Sequence, residues 1–374
     1  MHASSVGGSA GSTAVLPAPP AKASLGLVIC TAGRPHCVER LLGAVATQSR
    51  VPDEVLIVDG SRAPEAAATE AAVAKAPVAA RYVLVEAEGR GLTRQRNRGI
   101  AEISTEVIAF LDDDTVPSMD YFADLEEALA NRPDVVGVGG WIDDGLWCDA
   151  AGGAVDGTSN ASLASLARFE GGHVRVGSQR RALGARWRLR RRLGLAPPFE
   201  PGRIPPEGHG WPVSFVPPGG PAVKVDCLMG GASAWRRSLF EKVQFSPWFD
   251  GYGLYEDQDF SIRAGRFGTL VLLPSAQLAH LHEPSARPRA VHYGRMVVRN
   301  GWRVWRTGNP SPGAQARLRW WLVTLLLLCV RISNAVTGPS RQQALAEAWG
   351  RTVGVIEVVL FGVPLEGTAE GEAR

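Results

Sequence analysis

The run Val107-Ile108-Ala109-Phe110-Leu111-Asp112-Asp113-Asp114-Thr115 constrains this chain more than any other stretch. It opens as a short apolar segment of the kind a buried strand shows and closes on three consecutive carboxylates. Charges of one sign held so close resist joint ionisation unless something positive neutralises them. A hard divalent cation with oxygen ligands does so, and through it a phosphate can be held. The plainer alternative is a solvated acidic turn behind a strand, and the run of Asp alone does not decide between them.

The surrounding composition permits a packed core. Of 374 residues, 45% are hydrophobic and 21% charged, close to ordinary globular usage, and the length suits one large domain with an appendage or two small ones. A formal net charge of +3 gives no global field of the sort that draws nucleic acid. Five cysteines, Cys30, Cys37, Cys148, Cys227 and Cys329, form no CxxC pair. That spacing argues against a disulfide framework or a zinc site and for a reducing compartment. Residues 1–23, rich in Ala, Ser, Gly and Pro, read as a disordered leader, without the charged and apolar regions of a secretory signal.

Residues 25–31 form a first strand, followed by a turn at 32–35 whose Pro35 suits the first position of a helix. Val38, Leu41, Leu42 and Val45 then recur at helical spacing. Residues 54–61 are a second strand, 66–75 an Ala-rich helix, and 81–85 a third strand. Gly89 to Ile100 is a glycine-punctuated basic loop running into a helix, before the strand that carries the three Asp. Strands alternating with helices imply an α/β fold with a parallel sheet, and such sheets bind ligands beyond the carboxyl ends of their strands. Thr31, Asp59 and Asp112 to Asp114 all fall at those ends.

A helix over 119–130 and a strand over 134–138 follow. From Trp141 to about Val223 the pattern dissolves into a long excursion, functional or disordered as long loops usually are. Within it Arg180, Arg181, Arg186, Arg188, Arg190, Arg191 and Arg192 crowd together with Trp187, Leu189 and Leu193 interleaved. This is either a solvated face or a contact for anionic lipid or lipid phosphate; no nucleic-acid motif accompanies it. Order returns at 225–237, where Gly230-Gly231 allows close backbone approach or makes a tight bend. Glu256 and Asp257 stand where a helix should begin, a position that favours carboxylates. Residues 270–273 are another strand. His280 and His282, at alternate positions after it, share one face.

Taken in this order, the motifs resemble family 2 glycosyltransferases of the GT-A fold, especially bacterial enzymes that build exopolysaccharide or other cell-surface glycans. The likeness rests on Thr31, Asp59, Arg96-Asn97-Arg98-Gly99, Phe110 to Asp114, Gly230-Gly231 before Trp235-Arg236-Arg237, Glu256-Asp257-Gln258-Asp259, and a following His, and it runs over about residues 25–300. It implies a Rossmann-like, mostly parallel sheet flanked by helices. It implies inverting transfer of a sugar from a nucleotide-diphosphate donor to a glycan or lipid-linked acceptor, with Mg²⁺ or Mn²⁺. Carried over residue by residue, Thr31 and Asp59 hold the nucleobase, Arg96 and Arg94 help with base or phosphate, and Asp112 serves the ribose. Asp114 and His282 bind the metal, with Asp113 still a candidate ligand and His280 an alternative to His282. Gly230, Gly231 and Glu256 lie on the acceptor side, and Asp257 is the base. The long excursion occupies acceptor territory, so acceptor identity does not carry over. The Gln-x-x-Arg-Trp motif of processive synthases is missing, which favours single-sugar addition.

Two other readings compete. Asp112 to Val116 also fits the nucleophile pattern of a haloacid-dehalogenase-like phosphatase, although there the nucleophile strand normally comes first. A non-catalytic GT-A-like membrane partner is the other, and the intact acidic clusters speak against it.

The expected organisation is a leader over 1–23, a catalytic domain over 24–290 with the excursion at 141–223, and a helical C-terminal region over 291–374. In the last, Trp320 to Val330 is an apolar run flanked by Arg317, Arg319 and Arg331, shorter than the roughly 20 residues of a span. Trp at its boundary and Arg at its flanks fit a helix lying in the membrane interface, which would place the protein in the cytoplasm at the inner face of the cell membrane; the plainer alternative is that these helices pack on the catalytic domain or on a second subunit.

Overall fold

A computed structural model describes residues 23–149, 167–170, 172–196, 200–249, 251–283, 285 and 288–365. The expected leader, apart from Ala23, lies outside them. In chain order the elements are β1 (Leu25–Thr31), α1 (Pro35–Ala46), β2 (Glu54–Asp59), α2 (Glu65–Ala74), β3 (Arg81–Leu84), α3 (Leu92–Glu102), β4 (Val107–Asp112), β5 (Thr115–Pro117), α4 (Tyr121–Ala130), β6 (Val135–Asp143) and β7 (Trp147–Asp149). There follow β8 (Ala167–Glu170), β9 (His173–Val176), β10 (Gln179–Ala182), α5 (Ala185–Arg192), β11 (Val223–Val225), β12 (Ala232–Arg236), α6 (Glu256–Ala264), β13 (Thr269–His280), α7 (Ala290–Gly308), α8 (Ala314–Thr337) and α9 (Arg341–Leu360).

The main sheet runs β11-β13-β6-β12-β4-β1-β2-β3, with β5 paired to β13. Strands β1 to β4, β6 and β13 point one way, and β5, β11 and β12 run against them. Because side chains alternate across a strand, β1 feeds two cores. Leu25, Leu27 and Ile29 pack with Val38, Leu41 and Leu42 of α1 and Phe122 and Leu125 of α4. Val28 faces the other way, toward Ile100 of α3, Phe110, Trp235, Phe245 and Phe260. Register then sets the site. Thr31 pairs with Asp59, Cys30 with Asp112, and Thr115 with His280.

Two expectations change. The basic loop is shorter than its sequence suggests: α3 begins at Leu92, so Arg94 and Arg96 stand on a helix. The excursion is also ordered in part, as a four-stranded antiparallel sheet β7-β10-β9-β8 followed by α5. It has its own apolar centre of Val174, Val176, Leu183, Trp187, Trp211 and Phe215. Of the arginines there, Arg181 and Arg190 are buried, because Asp144 pairs with the first and the His209 carbonyl accepts from the second at 2.6 Å.

The C-terminal helices close on the catalytic half. Trp302, Trp305, Trp320 and Trp321 interlock α7 with α8. Asn300 donates to the Leu254 carbonyl at 2.9 Å, and Thr307 donates to Asp259 at 3.1 Å. The apolar run expected to be too short for a span lies within the longer α8. Among the described residues this 24-residue helix, with an apolar window of mean hydropathy 1.6, is long and apolar enough to cross a membrane by length and composition, and 22% of that window is buried. Helix continuation through polar positions is what the run length alone missed.

Candidate active site

The three Asp do different things. Asp112 ends β4 and is the most open of them, with 39% of its side chain exposed. Asp113 is enclosed: Thr31 Oγ1 donates to its Oδ2 at 2.6 Å, and Arg34 Nη2 lies 2.8 Å from Oδ1. Burial pushes its carboxyl up to about 7 even with Arg34 opposing. Asp114 accepts the Glu283 main-chain N–H at 2.9 Å and pairs with His280 Nε2 at 3.1 Å. Burial works against its ionisation, yet His280 and the Glu283 amide hold it down at about 2.

Ligand atoms of Asp112, Asp114 and His280 lie within 4.8 Å of one another. His282 is not part of this group. It follows the end of β13 in a left-handed conformation (φ 53°), its ring 4.3 Å from that of His280. The strand register puts His280 opposite Thr115, so it is His280 that reaches the acidic turn. Two carboxylates and an imidazole are a donor set suited to a hard or borderline divalent cation.

Thr31 and Asp59 do not face open space. The Thr31 hydroxyl is committed to Asp113. Asp59, fully buried, accepts from the Ser61 amide at 2.7 Å, from the Ser61 hydroxyl, and from Tyr82 at 2.9 Å. Ser61 in turn accepts the Gly33 N–H at 2.7 Å. The Asp59 carboxylate therefore fixes the first turn against the second. Arg34 and Gln95 were not singled out by sequence. Gln95, buried on α3, donates to the carbonyls of Thr31 and Val58, at 2.9 Å each, and ties β1 to β2 where both end. Arg34 stood in the turn before Pro35, a cation facing an acidic run, which was the available signal.

Arg96 is buried over the rings of Phe110 and Phe245, pairs with Glu256, and reaches Asp112 at 3.4 Å. Arg94, two residues nearer the start of α3, donates to the Arg90 carbonyl at 3.3 Å. Glu256 also accepts the Asp257 N–H, and burial, with the charge of Asp257, pushes its carboxyl well up. Asp257 is half-buried at the start of α6, accepting the Gly230 N–H at 3.2 Å and the Gln258 N–H at 2.8 Å. Burial raises its pKa against those two amides. The glycine pair admits the site's own side chains. A Cβ on Gly231 would collide with the Asp112 carboxylate, and one on Gly230 with Arg96 and Glu256.

Acidic strand ends thus stand beside a separate carboxylate on a helix start. Residues 27–147 match the family Glycosyl transferase family 2. Over that span, about a third of the chain, the protein is similar to glycosyltransferases of that family, which favours the glycosyltransferase reading over the phosphatase one. No curated protein matches the chain. Among solved structures it is similar to the mannosyltransferase PcManGT from Pyrobaculum calidifontis, in complex with GDP-Man and Mn²⁺, at 14% identity over 92% of this chain and 90% of that one, TM-score 0.48. It is also similar to glucosyl-3-phosphoglycerate synthase from Mycobacterium tuberculosis, in complex with Mn²⁺, UDP and glucosyl-3-phosphoglycerate, at 16% identity over 79% and 82%, TM-score 0.44. A third, GalNAc-T7 with UDP, GalNAc and Mn²⁺, shares 14% identity over 84% of this chain and 58% of that one, TM-score 0.46. Likeness this remote assigns no substrate.

Proposed function

We propose that the protein transfers a sugar, with inversion, from a nucleotide-diphosphate donor to a glycan or lipid-linked acceptor in cell-surface polysaccharide synthesis, and that it works at the inner face of the membrane. The observation that carries the reading is the convergence of Asp112, Asp114 and His280 within 4.8 Å of one another beside a separate carboxylate, Asp257. Asp112, Asp114 and His280 would hold Mn²⁺ or Mg²⁺, which, when bound, offsets the charge of the departing diphosphate. Arg96, itself paired with Glu256, reaches Asp112 at 3.4 Å and would help to hold it. Asp257 takes the acceptor hydroxyl proton as that oxygen attacks the anomeric carbon. Its half-burial makes it a better base than a solvated Asp, and its two amide donors aim it. Of the acidic pair, Glu256 is committed to Arg96, so Asp257 is the one left for chemistry.

The membrane side of the reading rests on α8 and α9. Leu318, Leu322, Leu325, Ile332 and Val336 form one exposed apolar stripe, and Leu345, Trp349, Ile356 and Val359 another. Glu357, which would break the second stripe, is turned inward onto Arg295 at 2.8 Å. The exposed Arg186, Arg188, Arg191 and Arg192 of α5 lie on a helix whose following Gly194 accepts from Arg319 of α8 at 3.1 Å, so basic and apolar surfaces adjoin. Apolar burial with cationic flanks is the physics of interfacial attachment.

Nucleoside-diphosphate release from a panel of nucleotide sugars, with and without a membrane lipid extract, tests the reading. It predicts release that needs Mn²⁺ or Mg²⁺ and is stimulated by the extract. Undiminished release in EDTA refutes it.

A further inference from the structure

A second cluster of metal-ligating side chains lies beside the acidic turn and takes no part in the site above. His36 and Cys37 come from the first turn of α1, and Glu283 from the segment after β13. His36 Nε2 lies 3.3 Å from Glu283 Oε2, Cys37 Sγ lies 3.4 Å from His36 Nε2, and Cys37 Sγ lies 3.9 Å from Glu283 Oε2. Zinc bonds of about 2.0–2.1 Å to nitrogen or oxygen and about 2.3 Å to sulfur, set at tetrahedral angles, require donor separations of roughly 3.3–3.6 Å. Two of the three separations already meet that requirement, and the third needs to close by a few tenths of an ångström.

We propose that His36, Cys37 and Glu283 form a second divalent-cation site, for Zn²⁺ or an ion of like softness, with water as fourth ligand. The chemistry separates it from the Asp112–Asp114–His280 group: a thiolate and an imidazole favour a softer ion than a set with two carboxylates does. Arg40 Nη2 donates to Cys37 Sγ at 3.6 Å and offsets part of the burial that raises this thiol; the ion itself displaces the thiol proton on binding. His36 is exposed, so an ion can enter from solvent. The two sites touch through one residue, since the Glu283 main-chain N–H donates to Asp114 at 2.9 Å. An ion on the Glu283 side chain would therefore pin α1 to the segment that caps Asp114. Spacing along the chain hides this set, because Glu283 is 246 residues from Cys37.

Titration of the metal-free full-length protein with Co²⁺, in saturating Mn²⁺, reads the site through thiolate-to-cobalt charge transfer. The proposal predicts a band that saturates at one equivalent and is displaced by Zn²⁺. Cys37→Ser abolishes it, and His36→Ala weakens Co²⁺ binding at least about tenfold, as loss of a ligand-shell member does. His36 is exposed, so His36→Ala decides the matter even if Cys37→Ser folds poorly. Asp114→Ala should leave the band in place. No band in the wild type, or a band that survives both Cys37→Ser and His36→Ala and so reports Cys148 or Cys329, overturns the proposal.

Discussion

In the proposed reading Asp257 is the base and its chain neighbour Glu256 is committed to Arg96, and substitution should separate the two. Asp257→Asn keeps size and loses basicity, so donor affinity should hold while turnover falls roughly 10²-fold or more. Collapse of donor binding with normal turnover at saturation would make Asp257 a donor ligand instead. Gly231→Ala places a methyl group against the Asp112 carboxylate. It should weaken Mn²⁺ binding with little change in melting temperature, measured by calorimetry in parallel, and an unaltered Mn²⁺ affinity would show that Asp112 is not held there. At this scale the sequence was informative about which residues gather: strand ends are readable, and Thr31, Asp59 and Asp112 do end side by side. What each one touches was not readable. Thr31 on Asp113, Asp59 on Ser61 and Tyr82, and His280 in the place expected for His282 follow from register and loop conformation, which periodicity does not encode.

The C-terminal helices show a similar division. A helical C-terminal region was expected there, around one apolar run with Trp and Arg at its flanks, but the close crossing of its helices was not. Gly294 of α7 and Gly350 of α9 meet so tightly that a Cβ on Gly350 would strike the Val291 carbonyl, and one on Gly294 the Glu347 carbonyl. Gly350→Ala should destabilise the protein by about 1–3 kcal/mol, the usual cost of overpacking, read as a lower denaturation midpoint. An unchanged midpoint would mean that α7 and α9 are not tightly paired. His209 joins the excursion to α8, with Nε2 3.2 Å from Thr324 Oγ1 and its ring beside Trp320. Burial pushes its imidazole down to about 3. The unfolded chain therefore binds this proton from about pH 6.5 downward while the folded one does not, so stability is complete above that pH and is lost as pH falls toward 3. His209→Gln should flatten that acid limb of the melting temperature between pH 7 and pH 5, and an equal slope in both proteins would refute the linkage. The second sheet escaped sequence reading because β8, β9 and β10 are only four residues each, too short for alternation to stand out, and their core is completed by Trp211 and Phe215 from far along the chain.

The whole molecule combines an acidic cluster at the ends of interior strands with an apolar, arginine-flanked helical surface. On flotation, the full-length protein should rise with anionic liposomes at low salt and rise less at high salt, since screening weakens the arginine contribution. Protein that stays at the bottom at low salt would assign the exposed stripes to some other contact. The central claim, that the acidic strand end holds a divalent cation for a nucleotide-diphosphate donor, is tested most directly by calorimetric binding of GDP and UDP to the wild type and to Asp114→Ala, each with Mn²⁺ and with EDTA. The expected result is nucleotide binding by the wild type in Mn²⁺ alone and none by the variant in either condition. Equal binding in EDTA, or by Asp114→Ala in Mn²⁺, would contradict it.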